Sequence, residues 1–150
     1  MTSGNFYFLY NTNNIWVTGG SDTGLYYSTD GITWTQSNVT SGSFHSARNA
    51  NGLWVAVSNL ASYYSTDGMS WVPLNAGFVN KGRFVYNING LWTICCTDAG
   101  LYYSTDGMTW TQSNVTNDSF QRVYCANNIW VAFGTGLYYS EGIPVEIEIT

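Results

Sequence analysis

The tetrapeptide Asn-Asn-Ile-Trp at residues 13–16 returns as Asn-Gly-Leu-Trp at 51–54 and 89–92, and again as Asn-Asn-Ile-Trp at 127–130. Its tryptophan therefore recurs at every thirty-eighth residue, and four such units account for nearly the whole chain of 150 residues. A period of about 20 to 50 residues is typical of proteins built from one repeated supersecondary unit. The sequence therefore predicts a single repeat domain over residues 1–150, with units at approximately 4–40, 41–78, 79–116 and 117–150.

Each unit contains four short strand candidates, which in the second unit are residues 44–49, 53–58, 61–65 and 70–74. Asn-Gly, Ser-Asn and Asp-Gly separate them, and such pairs favour tight turns between antiparallel strands. The second strand is almost wholly apolar in every unit, which indicates burial on both faces. We therefore predict an all-β β-propeller in which each unit forms one four-stranded antiparallel blade. A solenoid is the alternative fold, although four strands per unit favour a blade.

The units are not equally related. Residues 24–40 and 100–116 differ only at Ile32 and Met108, so the first and third units resemble each other more than their neighbours. This pattern suggests that a two-blade piece was duplicated. Four blades could close as a small ring within one chain, or two chains could form an eight-bladed ring through contacts between blade edges.

Composition excludes several classes of function. Charged residues make up 9% of the chain and aromatic residues 17%, and the net charge is −5 with only four Lys and Arg. Binding to nucleic acid needs a basic surface, so we predict no nucleic-acid partner. No apolar run reaches the roughly 18 residues that a membrane span needs, and the first residues lack the pattern of a secretion signal. Low charge and short polar turns suit a rigid extracellular or virion-associated part.

Few residues could supply a metal site or a catalytic centre. Cys95 and Cys96 are adjacent, so on a strand they point to opposite faces, and with Cys125 they are interpreted as small buried hydrophobic residues. A disulfide between Cys125 and one of that pair remains an alternative. His45 is the only histidine, so neither a metal-histidine cluster nor a Ser-His-Asp triad can form within one chain. We predict no cofactor and no metal.

After each third strand candidate the chain carries Tyr-Tyr-Ser-Thr-Asp-Gly-x-x-Trp, which is intact in three units and decayed in the fourth. This motif resembles the Asp-box, or bacterial neuraminidase repeat, in a short variant in which Asp and Gly are adjacent. Similar short boxes occur in propellers of phage and bacterial surface proteins. The resemblance implies a structural turn, in which Asp accepts backbone hydrogen bonds and Gly supplies positive φ. The structural box residues are Ser28, Asp30, Gly31, Trp34, Ser65, Asp67, Gly68, Trp71, Ser104, Asp106, Gly107 and Trp110.

The same resemblance raises sialidase-like glycosidase activity. Sialidases of that family bind the substrate carboxylate with three arginines, and this chain has Arg48, Arg83 and Arg122. These arginines stand at different offsets from the repeated tryptophan, and few carboxylates lie outside the boxes. The sequence therefore predicts no catalytic residues, and we expect the protein not to be an enzyme.

One repeat position could hold a ligand. Six residues before each repeated tryptophan stand Tyr10, Arg48, Tyr86 and Tyr124, on the strand expected to lie nearest the axis. Their rings and hydrogen-bonding groups suit a sugar or a peptide terminus. The alternative is that these side chains simply fill the channel.

These observations favour a non-enzymatic binding or assembly module. Its expected partners are a glycan or surface receptor, or other virion or surface proteins, and the chain could form a homodimer or higher homo-oligomer. A purely structural decoration protein is the first alternative, and a glycosidase is the second. A designed consensus propeller is a third, which the uneven cysteines and the decayed fourth box argue against.

Overall fold

The computed structural model describes residues 4–74 and 81–142, together with the backbone of 148–149. Regular structure in this part of the chain is entirely β, without a helix, and forms four antiparallel four-stranded sheets. Consecutive strands pair in chain order within each sheet. The strands are β1 Phe6–Thr12, β2 Ile15–Gly20, β3 Leu25–Ser28 and β4 Thr35–Gln36 in sheet 1; β5 Phe44–Ala50, β6 Leu53–Ser58, β7 Tyr63–Ser65 and β8 Val72–Pro73 in sheet 2; β9 Gly82–Ile88, β10 Leu91–Cys96, β11 Leu101–Ser104 and β12 Thr111–Gln112 in sheet 3; and β13 Phe120–Ala126, β14 Ile129–Gly134, β15 Leu137–Glu141 and β16 Glu148–Ile149 in sheet 4.

The outer strands are shorter than the sequence predicts. In sheet 2 the third strand begins at Tyr63 rather than at residue 61, and the outermost strand covers only Val72–Pro73 rather than residues 70–74. The Ser70 N–H is occupied by a hydrogen bond to the Asp67 carboxylate, 2.8 Å away, and Pro73 has no N–H to donate to a strand ladder. The predicted boundary between units two and three, at residues 78 and 79, lies outside the described residues.

The repeated Asn-Asn and Asn-Gly pairs form the turns between the first and second strands. Asn13 and Asn14 have φ of 50° and 61°, and Asn51 and Gly52 have φ of 51° and 82°. Positive φ at both central residues defines the type I′ turn, whose twist matches that of an antiparallel hairpin. Asparagine and glycine adopt this region at low cost, which explains why the turn contains only these two residue types.

Three apolar interfaces join the sheets in chain order, and each contains one of the repeated tryptophans. Trp54 is buried between sheets 1 and 2, Trp92 between sheets 2 and 3, and Trp130 between sheets 3 and 4. Trp16, in sheet 1, is only partly buried. Within the described ranges, no interface of similar extent joins sheet 4 to sheet 1.

Burial of the second strand differs between sheets. The strands Leu53–Ser58 and Leu91–Cys96 are buried almost throughout, as their apolar sequences predict. The same prediction is wrong for Ile129–Gly134, where Ile129 and Phe133 are exposed. In the part of the chain that the structure describes, sheet 4 has a neighbouring sheet on one side only, so its other face lacks a cover.

The three cysteines are unpaired, and the adjacent two serve different interfaces. Cys95 is buried between sheets 3 and 4, whereas Cys96 is buried between sheets 2 and 3, as strand alternation predicts. Burial raises the pKa of the Cys96 thiol to about 12 and also raises that of Cys95. Both thiols therefore stay protonated near neutral pH and act as small apolar groups.

Apolar and charged residues alternate over residues 144–150, a pattern that predicts the outermost strand of sheet 4, and Glu148–Ile149 does form that strand. Glu148 pairs with Tyr139 and Ile149 pairs with Tyr138. Residues 144–147 and 150 of the predicted strand lie outside the described residues, as do its glutamate side chains, which the sequence predicts to face solvent.

Candidate ligand-binding site

The first strands of the four sheets contact one another in succession, and each carries a β-bulge near its start. A bulge inserts one residue that has no partner in the ladder and redirects its side chain. The skipped residues stand thirty-eight positions apart, so the bulge belongs to the repeat. They are Tyr7, His45, Arg83 and Gln121, which we call the bulge residues.

The bulge residues surround one cavity of about 450 Å³. Each of the four sheets therefore contributes to its wall. Arg122, directly after a bulge residue, and Phe133, on the second strand of sheet 4, complete it. We call this the axial cavity.

The axial cavity is cationic, although the protein as a whole is acidic. Arg83 and Arg122 supply two guanidinium groups, and the described wall contains no carboxylate. Burial, and secondarily the charge of Arg83, lower the pKa of His45, while a hydrogen bond with Asn59 opposes that shift. His45 is therefore neutral near pH 7, and the positive charge of the cavity comes from the arginines.

Tyr7 and His45 form a stacked pair in the cavity wall. Their ring centroids are 5.2 Å apart and their planes differ by 3°. The Nε2 atom of His45 is buried and has no hydrogen-bond partner among the described residues. A buried polar atom without a partner costs free energy, so a ligand or water that bonded to it would be favoured.

The predicted row at Tyr10, Arg48, Tyr86 and Tyr124 does come together. The Arg48 guanidinium carbon lies 4.9 Å from the centre of the Tyr10 ring and 5.4 Å from that of Tyr86, distances typical of cation–π contacts. The rings of Tyr86 and Tyr124 are 5.9 Å apart. Burial, together with a hydrogen bond to Tyr124, raises the pKa of Tyr86, so its hydroxyl remains protonated. We call these four residues the aromatic row.

Phe84 connects the aromatic row to the axial cavity. Its ring centre lies 5.5 Å from the guanidinium carbon of Arg48 and 4.1 Å from that of Arg122. It also packs against Tyr86, with 4.4 Å between ring centres. The cavity and the row therefore form one continuous surface of aromatic and cationic groups.

Sequence reasoning identified the aromatic row but missed the cavity. Of the three arginines weighed as a possible carboxylate-binding set, Arg83 and Arg122 line the cavity, whereas Arg48 belongs to the row. Tyr7, Gln121 and the bulge itself were not singled out. One signal was present, because this repeat position holds four different residue types in a chain whose units are otherwise similar.

The three intact boxes have one geometry. In the first, the Asp30 carboxylate accepts hydrogen bonds from the N–H groups of Ile32 and Thr33, at 2.8 and 2.7 Å, and from the Ser28 hydroxyl at 2.9 Å. The second and third boxes repeat these bonds to within 0.1 Å. Backbone N–H donors hold the pKa of Asp30 and Asp106 at about 2 and also lower that of Asp67.

The tryptophans of the boxes have different environments. Trp71 is buried between sheets 1 and 2, and Trp110 between sheets 2 and 3, where its Nε1 donates to the Gly107 carbonyl at 3.1 Å. Trp34, at the same position in sheet 1, is only partly buried.

The described residues bring together no group of three His, Cys, Asp or Glu side chains suited to a metal ion, and contain no helix long and apolar enough to cross a membrane.

No protein-family model matches the sequence, and a search of curated proteins finds no significant relative. Solved structures do resemble it. The computationally designed Ika8 protein matches 93% of the chain with a TM-score of 0.72 and 11% identity, and an ancestral GH74 enzyme matches 98% with a TM-score of 0.75 and 14% identity. YCF48 bound to D1 peptide matches 91% with a TM-score of 0.65 and 17% identity.

These structures are propeller proteins, so the fold of four antiparallel four-stranded sheets is propeller-like. At such identities the similarity shows the fold alone. The chain spans 46% of Ika8, 24% of the GH74 enzyme and 51% of the YCF48 chain. The number of blades in a complete ring therefore does not follow from these matches.

Proposed function

We propose that the protein is a non-enzymatic binding module of a virion or cell surface, and that its axial cavity takes the acidic group of a carbohydrate. The observation that carries this proposal is the pair of guanidinium groups, Arg83 and Arg122, in a described cavity wall that holds no carboxylate. A guanidinium group matches a carboxylate in shape and charge and can form two parallel hydrogen bonds with it.

The remaining groups of the cavity suit the rest of a sugar. The stacked Tyr7 and His45 offer flat apolar faces, and the Gln121 amide can both donate and accept hydrogen bonds. From there the aromatic row extends the surface through Phe84, which would accommodate further units of an oligosaccharide.

Binding without turnover is favoured over hydrolysis. Glycosidases of the usual type place two carboxyl groups about 5 to 10 Å apart on either side of the scissile bond. The described cavity wall supplies none. The box carboxylates already accept three hydrogen bonds each within their own turns.

A protein partner is the second candidate. YCF48, whose fold is similar, has been solved bound to D1 peptide, and a peptide C-terminus carries the same carboxylate that the two arginines would bind. Tyr124 at the end of the aromatic row is 53% exposed and therefore accessible to a peptide side chain. A purely structural role in a virion or surface layer is the remaining alternative.

The test is a glycan array that pairs acidic glycans with neutral counterparts of the same backbone, run beside an assay for released sugar. We expect saturable binding to acidic glycans and no release. Arg83→Gln should weaken binding about tenfold or more, because hydrogen bonds to charged groups contribute about 1.5–3 kcal/mol. Lys81→Gln is the matched control: it removes the same charge from a side chain whose nearest carboxylate, Asp98, is 4.0 Å away, and should leave affinity within about twofold.

Three results would count against this proposal. Equal binding of acidic and neutral glycans would show that Arg83 and Arg122 do not bind an acidic group of the ligand. Binding of peptides ending in a free carboxylate, with no glycan bound, would favour the second candidate. Release of free sugar would show that the protein is an enzyme.

A further inference from the structure

Each interface between neighbouring sheets joins two different kinds of sheet face, which we call incoming and outgoing. The incoming face packs on the preceding sheet and presents the repeated tryptophan, residues of the first strand and, in sheets 2 and 3, the box tryptophan. The outgoing face packs on the following sheet and presents the second and third strands. Between sheets 1 and 2, for example, Val17 and Leu25 of the outgoing face meet Phe44, Trp54 and Trp71 of the incoming face.

The incoming face of sheet 1 has the same residue types but no cover among the described residues. Leu9 is 58% exposed, whereas Val85 at the same repeat position is fully buried. Phe6 is 37% exposed, against 1% for its equivalent Phe120. With the partly buried Trp34, these side chains line an open cavity of about 430 Å³.

The outgoing face of sheet 4 is uncovered in the same way. Leu137 is 49% exposed, whereas Leu101 in the same Leu-Tyr-Tyr-Ser motif is fully buried. Phe133 is 38% exposed, while Cys95 at the equivalent position is fully buried. Ile129 is exposed as well. The described chain thus ends in two apolar faces, one of each kind.

We infer that a second copy of this chain covers both faces, so that sheet 4 of each copy packs on sheet 1 of the other and the two copies close an eight-bladed ring. The chain itself provides the template for this contact, because it makes the same outgoing-to-incoming interface three times. Two such junctions related by a two-fold axis leave neither face exposed.

The axial cavity supplies a second argument for the second copy. Tyr7 lines both the axial cavity and the open cavity on sheet 1, and Phe133 belongs both to the axial cavity and to the outgoing face of sheet 4. The uncovered faces therefore reach the edge of the axial cavity. A second copy would complete its wall and would contribute its own Arg83 and Arg122 to the same channel. This inference does not depend on which ligand the channel binds.

The first test is the mass of the protein in solution, measured by light scattering over a range of concentrations. We expect twice the chain mass of 16.6 kDa. Leu9→Asp and Leu137→Asp each place a charge on one face and should reduce the mass to that of one chain. Leu60→Asp is the matched control, because Leu60 is 67% exposed in the turn between β6 and β7 of sheet 2, away from both end faces, and should leave the dimer intact.

Mixing separates a lost interface from a misfolded variant. In a mixture of Leu9→Asp and Leu137→Asp chains, sheet 4 of the first and sheet 1 of the second are both unaltered. The mixture should therefore form a dimer through one junction, although neither variant dimerises alone. Misfolded chains would stay apart.

A wild-type mass of one chain at all concentrations would overturn the inference, since the faces would then meet within one chain or stay uncovered. A larger or open-ended assembly would overturn the eight-bladed closure. Dimers that persist in both aspartate variants, or a mixture that stays monomeric, would show that these faces do not form the contact. Because mass is measured without ligand, none of these outcomes bears on glycan binding.

Discussion

The box turns and the bulge residues both recur along the chain, yet they differ in how much they vary from one unit to the next. The three intact boxes share their Ser, Asp, Gly and Trp, and their hydrogen bonds agree to within 0.1 Å. The four bulge residues are all of different types and face one cavity. The repeat therefore separates the residues that build each turn from those that give the cavity its chemistry.

The largest expected effect comes from the box glycine. Gly107→Asn should lower the free energy of unfolding by about 1–3 kcal/mol, because a Cβ there would lie 2.6 Å from Leu53 Cδ2 and 3.0 Å from Trp92 Nε1. Gly90→Asn is the matched control. Gly90 also has positive φ, has open space around it, and corresponds to Asn14 and Asn128 in other units. Chemical denaturation should show almost no loss for Gly90→Asn, and similar losses for the two variants would contradict the comparison.

A smaller effect is expected from the box carboxylate, and it depends on pH. The folded state lowers the pKa of Asp30 and Asp106 to about 2, from an ordinary value of 3.8. Between about pH 2 and pH 4 the folded state therefore binds fewer protons than the unfolded state. The stability that these carboxylates contribute is present above about pH 4 and is lost as the pH falls towards 2. Thermal unfolding of Asp106→Asn should show a shallower acid dependence than the wild type.

At neutral pH, Asp106→Asn should be less stable by about 1 kcal/mol, because an amide oxygen accepts the same backbone bonds more weakly than a carboxylate. Parallel stability curves for the variant and the wild type between pH 5 and pH 2 would show that the box charge contributes nothing to folding.

The smallest effect on folding is expected at the bulge residues. Gln121→Ala should change the free energy of unfolding by less than about 0.5 kcal/mol, because the side chain is exposed and packs in none of the three apolar interfaces. Chemical denaturation and glycan titration on the same sample would separate the effect on folding stability from the effect on glycan binding. A large loss of stability would make the bulge residue a structural one.

The repeat, the sheet order and the box turns could be predicted because they depend on local residue patterns. An Asn-Gly pair before an apolar strand specifies its turn whatever surrounds it, and the row at Tyr10, Arg48, Tyr86 and Tyr124 needed only the period. The cavity was missed because a bulge changes the strand register by one residue. Register depends on pairing across strands, which residue spacing does not report.

The uncovered faces were missed for a different reason. Leu9 and Val85 are both aliphatic residues at the same repeat position, and nothing local distinguishes the exposed one from the buried one. Their burial depends on whether another sheet is present. That is a property of the assembly and not of the strand.

The local hydrogen bonds of the box turn also bear on how the chain arose by duplication of blades. All hydrogen bonds of the Asp30 carboxylate lie between Ser28 and Thr33, so a copied blade brings a complete turn with it. Gene duplication can therefore add blades without first inventing new turns. The two most similar copies, residues 24–40 and 100–116, have since diverged only at Ile32 and Met108. Both side chains are exposed, which is where substitutions accumulate without loss of folding.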